Sequence, residues 1–238
     1  NSNEKKMYKK NISIMNLISK KINYFYTEKL FIHLSTCGVY GLQYQNKISE
    51  KDTPLPNTLY SKTKLFGEKI FLKNLNKNIK IIILRSSQVI GKNMRNISLN
   101  KLSYFLKKNF FFFINNKNLD FSYIFADDLI LSIELLINKK KYVTGIYNIS
   151  NNIKYLKLVN IILRMQKKKS FIPNINPTLI KILIYILEKL KIKTPLNSQS
   201  FNSLRSKNTF LSKKIKKELR IKNFLNINNK TIKNLIHD

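Results

Sequence analysis

Cysteine occurs once, at Cys37, and histidine twice, at His33 and His237. A single thiol excludes an intramolecular disulfide, which fits a reducing compartment. One Cys and two distant His do not make the usual ligand set of a zinc site. Acidic residues are also scarce. There are 12 Asp and Glu against 45 Lys and Arg, a formal net charge of +33 with a pI near 10.2. No apolar run is long enough to span a bilayer, since the best of them, Leu179 to Leu187, is interrupted by Lys181. Asn1 to Lys10 is polar and charged, so no secretory signal is visible there. The expectation is a cytoplasmic protein with no metal and no membrane span.

So large a positive charge directs attention to polyanions. Its distribution argues for another origin. Lysine is spread through nearly every segment together with abundant Asn and Ile, as a coding sequence drifting toward A- and T-rich codons produces, whereas a nucleic-acid binder concentrates its charge on one face. The longest basic runs, Lys139 to Lys141 and Lys167 to Lys169, fall between predicted elements. Nucleic acid is therefore not the expected partner.

Of the 238 residues, 43% are hydrophobic and 24% charged, which is ordinary globular usage and enough for one α/β domain with a smaller appendage. Strand-like runs rich in Ile, Phe and Tyr lie at Leu30 to Ser35, Ile79 to Ser86, Phe110 to Ile114, Phe121 to Phe125 and Gly145 to Ile149. Helical patterns at Glu4 to Lys21, Ser61 to Leu75, Leu99 to Lys108, Asp127 to Ile137, Leu156 to Met165 and Thr178 to Leu190 alternate with them. Such alternation predicts a parallel sheet flanked by helices. From about Phe171 the pattern becomes mostly helical, so the predicted division is 1–170 for the sheet domain and 171–238 for a C-terminal subdomain, interleaved with parts of 88–125. The helix around Leu179 to Leu190 is apolar on most of its circumference, which predicts burial against the sheet domain or a partner subunit and a polar face too weak for a membrane-surface role.

Chemistry concentrates between Phe31 and Lys64. A strand ends in Ser35-Thr36-Cys37-Gly38-Val39-Tyr40-Gly41, and Tyr60-Ser-Lys-Thr-Lys64 follows about two dozen residues later. Together they resemble the extended short-chain dehydrogenase/reductases, the NAD-dependent epimerase/dehydratase family. Oxidising a secondary alcohol by hydride transfer needs a base for the hydroxyl proton. A phenol with a pKa near 10 is a poor base at neutral pH. A lysine four residues later on a helix shares its face and stabilises the phenolate. The resemblance thus assigns Tyr60 and Lys64 as catalytic and cofactor-binding residues. Thr36 becomes the hydrogen-bonding partner of the same substrate oxygen, and Ser35 is an adjacent cofactor-side hydroxyl. Glu68, one turn further, orients Lys64 or supports the helix.

Further segments resemble the family in order: Leu84-Arg85-Ser-Ser-Gln-Val-Ile-Gly91, then Tyr123-Ile-Phe-Ala-Asp-Asp-Leu129, then Gly145-Ile-Tyr-Asn-Ile-Ser150. The first implies Ser87 beside the cofactor and Gln88 beside the sugar nucleotide. Tyr8-Lys-Lys-Asn11 resembles the helix whose Asn approaches the cofactor. Asn202-Ser-Leu-Arg205 resembles the tail in which an arginine grips a diphosphate. The implied fold is a Rossmann-like parallel sheet with a mostly helical substrate subdomain, the implied cofactor NAD or NADP, and the implied assembly a homodimer through a helical interface.

The five glycines, at 38, 41, 67, 91 and 145, make no Gly-x-x-Gly-x-x-Gly turn of the kind that seats a pyrophosphate on a helix N-terminus. The first predicted helix matches one midway through the family's dinucleotide domain. The expectation is an incomplete sheet, with roughly two βα units and the residue that selects NAD over NADP lying ahead of Asn1. Ser86 stands where the family usually has Pro, and Phe121 where Arg is frequent. Three functional readings compete. The leading one is an oxidoreductase acting on a nucleotide-linked sugar, such as a UDP-hexose 4-epimerase or related reductase. The others are a short-chain dehydrogenase acting on a steroid-like or other small alcohol, and a non-catalytic basic remnant that binds nucleic acid.

Overall fold

The computed structural model describes residues 2–42, 47–114, 119–141, 144–169, 171–190, 201 and 208–236. The chain opens with α1 (Ser2–Ile22), β1 (Lys29–Thr36), a 3₁₀ turn (Cys37–Tyr40) and α2 (Leu59–Asn74). There follow β2 (Ile79–Ser86), β3 (Gln88–Ile90), α3 (Ile97–Lys107), β4 (Phe113–Ile114), β5 (Asp120–Phe125) and α4 (Ala126–Ile137). Next come β6 (Gly145–Ile149), β7 (Asn151–Lys154), α5 (Tyr155–Met165), β8 (Asn174–Ile175), α6 (Pro177–Lys189), α7 (Lys213–Leu219) and α8 (Asn229–Ile232).

Strands β1, β2 and β6 form a parallel sheet in that order. Its centre, β2, reads Ile-Lys-Ile-Ile-Ile-Leu-Arg-Ser and is buried almost throughout, as a parallel strand covered on both faces requires. Side chains alternate across it. Ile79, Ile81 and Ile83 pack with Ile22, Phe31 and Leu75 on the side of α1 and α2. Ile82 and Leu84 pack with Leu136, Ile215 and Phe224 on the side of α4 and α7. A second sheet joins β3 to β5 in parallel and β5 to β7 antiparallel, above a core shared with α3, α5 and α8. β4 pairs with β8, and α6 buries Ile180 and Ile184 against this pair.

Helices α1 and α2 run side by side in the same direction. Asn23, just beyond α1, bonds to Asn74 and Asn76, separations of 51 and 53 residues. A Cβ on Gly67 would lie 2.6 Å from Met15 Sδ, a separation of 52 that keeps the same register. Gly67 thus leaves room for the Met15 side chain, which a Cβ there would have to displace. The residues after 208 return to the sheet domain. Ile48 bridges Phe210, Lys214 Nζ donates to the Ile146 carbonyl at 2.8 Å, and Ile232, Leu235 and Ile236 lie in the core under α5. The helix near 179–190, expected to be buried against the sheet domain or a partner subunit, buries Ile180 and Ile184 within the chain. Only one face of α6 is covered.

Candidate active site

The C-terminal ends of the parallel strands are where open α/β sheets bind ligands. In register there stand Thr36 on β1, Ser86 on β2 and Ile149 on β6. Thr36 caps the 3₁₀ turn, its Oγ1 accepting from Gly38 N at 3.1 Å. That bond occupies lone-pair capacity and leaves the hydroxyl proton of Thr36 available. A Cβ on Gly38 would sit 3.4 Å from Thr36 Oγ1 and 3.7 Å from Ser61 Cβ, so the turn brings Thr36 and the start of α2 to the same place.

The start of α2 is fixed by a capping box. Thr58 Oγ1 accepts from Ser61 N at 3.1 Å and Ser61 Oγ accepts from Thr58 N at 3.2 Å, which satisfies orphan amides of the first turn. Tyr60 lies in this turn, 61% exposed. One turn on, Lys64 places its Nζ 5.9 Å from the Tyr60 ring centroid and donates to the Leu34 carbonyl at 3.0 Å. Phenol and ammonium therefore face each other across one turn, at the end of β1. Partial burial raises the Tyr60 pKa and lowers that of Lys64. Beneath them His33 rests on Phe71, ring centroids 4.9 Å apart. Burial, and then the charge of Lys64, push its pKa down to about 4, so it is neutral at pH 7.

Ser35, next to Thr36, is occupied elsewhere. Its hydroxyl donates to Glu68, and the Glu68 carboxylate receives Arg85 Nη2 at 2.7 Å and Arg85 Nε at 3.1 Å. Arg85 Nη1 donates to Tyr40 Oη at 2.8 Å, and Tyr40 donates to Asn148 Oδ1 at 2.8 Å. The Cys37 thiol donates to the Arg85 carbonyl at 3.0 Å. Burial pulls Arg85 down, but the hydrogen bonds and charge of Glu68 outweigh it and the net direction is up. This chain of buried polar groups ties β1, the turn, α2, β2 and β6 together directly behind the site. Glu68, expected to orient Lys64 or to support the helix, gives its carboxylate to Arg85. The partners lie 17 and 108 residues apart, and only the motifs Tyr40-Gly41 and Leu84-Arg85 hinted at them.

Ser87 follows β2, its N–H donating to the Ile149 carbonyl at 3.1 Å. The Ser87 hydroxyl and the Asn148 amide nitrogen are buried with no hydrogen-bond partner among the described residues. Gln88 opens β3, half-buried and in register with Tyr123. Asn11 lies on α1 one turn before Met15, and the α1–α2 register of 51 to 53 sets it level with Thr63, beside Lys64. Arg205 lies outside the described residues. Tyr60, Lys64, Thr36, Ser35 and Ser87 thus gather at one strand edge. No group of three or more His, Cys, Asp or Glu able to hold a metal occurs among the described residues.

The arrangement suits the nicotinamide end of a dinucleotide. It combines an orphan buried hydroxyl at Ser87, a cation at Lys64, an exposed phenol at Tyr60 and a free hydroxyl proton at Thr36. The glycines offer no pyrophosphate turn.

Residues 1–150 match the family model for NAD dependent epimerase/dehydratase. No curated protein matches the chain. Similar folds occur in a UDP-glucuronic acid 4-epimerase from Bacillus cereus in complex with UDP-glucuronic acid and NAD, 20% identical over 94% of this chain and 65% of that one, with a TM-score of 0.67. The enzyme WbmG from Bordetella bronchiseptica in complex with NAD is 15% identical, with coverages of 94% and 62% and a TM-score of 0.65. RMD from Pseudomonas aeruginosa complexed with NADPH is 12% identical, with coverages of 87% and 64% and a TM-score of 0.60. The chain spans a little under two thirds of the length of each. At these identities the likeness shows the Rossmann-like fold.

Proposed function

The chain belongs to the NAD dependent epimerase/dehydratase family, and from that premise we propose that it acts on a nucleotide-linked sugar, a UDP-hexose above all, as a 4-epimerase or related reductase. The observation that carries this reading is the Lys64 ammonium facing the Tyr60 phenol, 5.9 Å from its ring centroid, at the strand end that Thr36 also borders.

When bound, a nicotinamide supplies the acceptor and donor of hydride. The chain's own residues manage the proton. Tyr60 Oη takes it from a sugar hydroxyl and returns it, and the positive charge of Lys64 favours the phenolate against the burial that raises Tyr60. Thr36 donates its remaining proton to the same sugar oxygen, a role Ser35 cannot share while it serves Glu68. Ser87 offers its orphan hydroxyl to the cofactor, Asn11 a side-chain amide from α1, and Gln88 a contact to the sugar nucleotide. NAD is the preferred cofactor in this reading, on the ground of the neighbours that hold it with UDP-sugars. Exposed Ile14, Leu17, Ile18 and Phe66 on the paired helices α1 and α2 supply the homodimer surface.

Because the chain's glycines offer no pyrophosphate turn, activity of this chain alone is doubtful, and the test is incubation of the full-length protein with NAD and UDP-glucose or UDP-glucuronic acid, with epimers resolved by NMR. Turnover is expected, falling about 10²- to 10⁴-fold in Tyr60→Phe. Absence of turnover, or a Tyr60→Phe variant as fast as the parent, would reject the proposal.

A further inference from the structure

Of the side chains gathered at the strand edge, Tyr60 has the fewest ties of its own. It is 61% exposed, and its phenol makes no hydrogen bond among the described residues. Lys64, by contrast, is tied through Nζ to the Leu34 carbonyl at 3.0 Å, so it cannot follow a phenol that wanders. The facing of the two side chains, 5.9 Å from ammonium to ring centroid, therefore depends on the backbone that carries Tyr60. That backbone is the first turn of α2.

Three hydroxyls hold this turn. Thr58 Oγ1 accepts from Ser61 N at 3.1 Å, Ser61 Oγ accepts from Thr58 N at 3.2 Å, and the two oxygens lie 2.8 Å apart. Thr63 Oγ1 donates to the Leu59 carbonyl at 2.8 Å. Ser61 is 2% exposed, and its Cβ lies 3.7 Å from the place a Cβ on Gly38 would take, so the inner half of the box rests on the turn that Thr36 caps. Thr58 and Ser61 bracket Tyr60 in sequence, and closing the box fixes the backbone between them.

A capping hydroxyl stabilises any helix that it starts. Here it has a second consequence. The attraction between phenolate and ammonium is worth little once the phenol swings into water, where the same charge acts through a high dielectric. Lys64 is the charged group beside the Tyr60 ring. On β1 His33 is neutral at pH 7, and behind the site Glu68 and Arg85 satisfy each other. A frayed first turn would thus separate the phenol from the charge that favours its ionised form.

We propose that Thr58 and Ser61 are positioning residues of the active site, whose paired hydroxyls hold the Tyr60 phenol against the Lys64 ammonium and so raise the fraction of phenolate at neutral pH. The inference rests on the roles of Tyr60 and Lys64 given above and adds two residues that act through Tyr60.

The experiment is nitration of the folded chain at about pH 8 by tetranitromethane, which attacks the phenolate, with the products counted by peptide mass spectrometry. Tyr26, 89% exposed and ahead of the opposite end of β1, is the internal standard. The ratio of Tyr60 to Tyr26 nitration is expected to fall about threefold in Lys64→Met and in Thr58→Val, which keeps the shape of threonine without its hydroxyl. It should return to the parent value in Thr58→Ser. Ser61→Ala opens the box from its other half and should lower the ratio in the same way. Loss of a plain helix cap would lower the melting temperature and, by baring the ring further, leave the ratio unchanged or raise it. Either result in Thr58→Val and Ser61→Ala would overturn the proposal. An unchanged ratio in Lys64→Met would overturn it too, because there would be no charge effect for the box to preserve. The sugar-nucleotide reading is judged separately, by turnover of the full-length protein. A fallen ratio without turnover rejects that reading alone, and turnover with an unmoved ratio rejects the positioning alone.

Discussion

Replacing Glu68 by leucine removes half of an ion pair whose side chains are 2% and 4% exposed and whose N···O distance is 2.7 Å. The attraction lost is only part of the cost. The Arg85 guanidinium stays behind in the interior, with Tyr40 Oη as its remaining side-chain acceptor. An uncompensated buried charge of this kind costs about 3–5 kcal/mol. At a urea slope of roughly 2 kcal/mol per M, the unfolding midpoint of Glu68→Leu should fall by about 2 M. The double variant Glu68→Leu/Arg85→Met removes the stranded charge and should recover most of the loss, because replacing a buried pair with apolar groups is often close to neutral. Lys80→Ala is the control. Lys80 meets Glu28 at 3.7 Å with side chains 33% and 55% exposed, and such solvent-accessible pairs contribute about 0–1 kcal/mol. The measurement is equilibrium urea unfolding of the three variants. A Glu68→Leu loss no larger than that of Lys80→Ala, or a double variant no better than the single one, would refute the view that the pair is a desolvated structural tie behind the site.

Acid should act through His33. Its folded-state pKa is lowered from 6.5 to about 4, so the unfolded chain binds the proton first. Stability is therefore full above pH 6.5, falls as the pH drops toward 4, and loses on the order of 3 kcal/mol there from this group; His33→Leu should flatten that part of a melting-temperature profile against pH. Gly67→Ala sets a Cβ 2.6 Å from Met15 Sδ; the flexible Met15 side chain can turn away, so the cost should stay below about 1 kcal/mol in a thermal melt. At Gly41, where φ is +70° and a Cβ would lie 1.9 Å from the Leu55 carbonyl oxygen, alanine has neither the space nor the conformation, and a loss of at least about 2 kcal/mol is expected by urea unfolding. Cys37 is fully buried with its thiol pKa pushed well up by burial, so a thiol reagent should label it only at the rate of unfolding.

The main helices and the central parallel strands were legible because their signals are long. The predicted spans at Ile79 to Ser86 and Gly145 to Ile149 coincide with β2 and β6, and the helix ends differ by a few residues at most, where capping rather than periodicity decides. β3, β7 and β8 were not foreseen. They have two to four residues and polar members such as Gln88, Asn151 and Asn174, and only their neighbours make them strands. Phe110 to Ile114 read as a strand because it is aromatic throughout, yet only Phe113 and Ile114 find a partner. At the site, the turn-to-turn facing of Tyr60 and Lys64 was visible because a helix places residues four apart on one face. The Ser35–Glu68–Arg85–Tyr40–Asn148 chain was not visible, because its links join residues from five different elements. The uncovered side of α6 was visible as apolar composition, but composition does not say which side the fold leaves open.

An ammonium carries three hydrogens in a tetrahedral fan, and Lys64 points one of them at the Leu34 carbonyl. The backbone of β1 thereby acts as a mooring for the ammonium and engages one of its three hydrogens. A guanidinium in the same place would keep the charge but spread its donors in a plane. The site is built around the shape of a lysine as well as its sign.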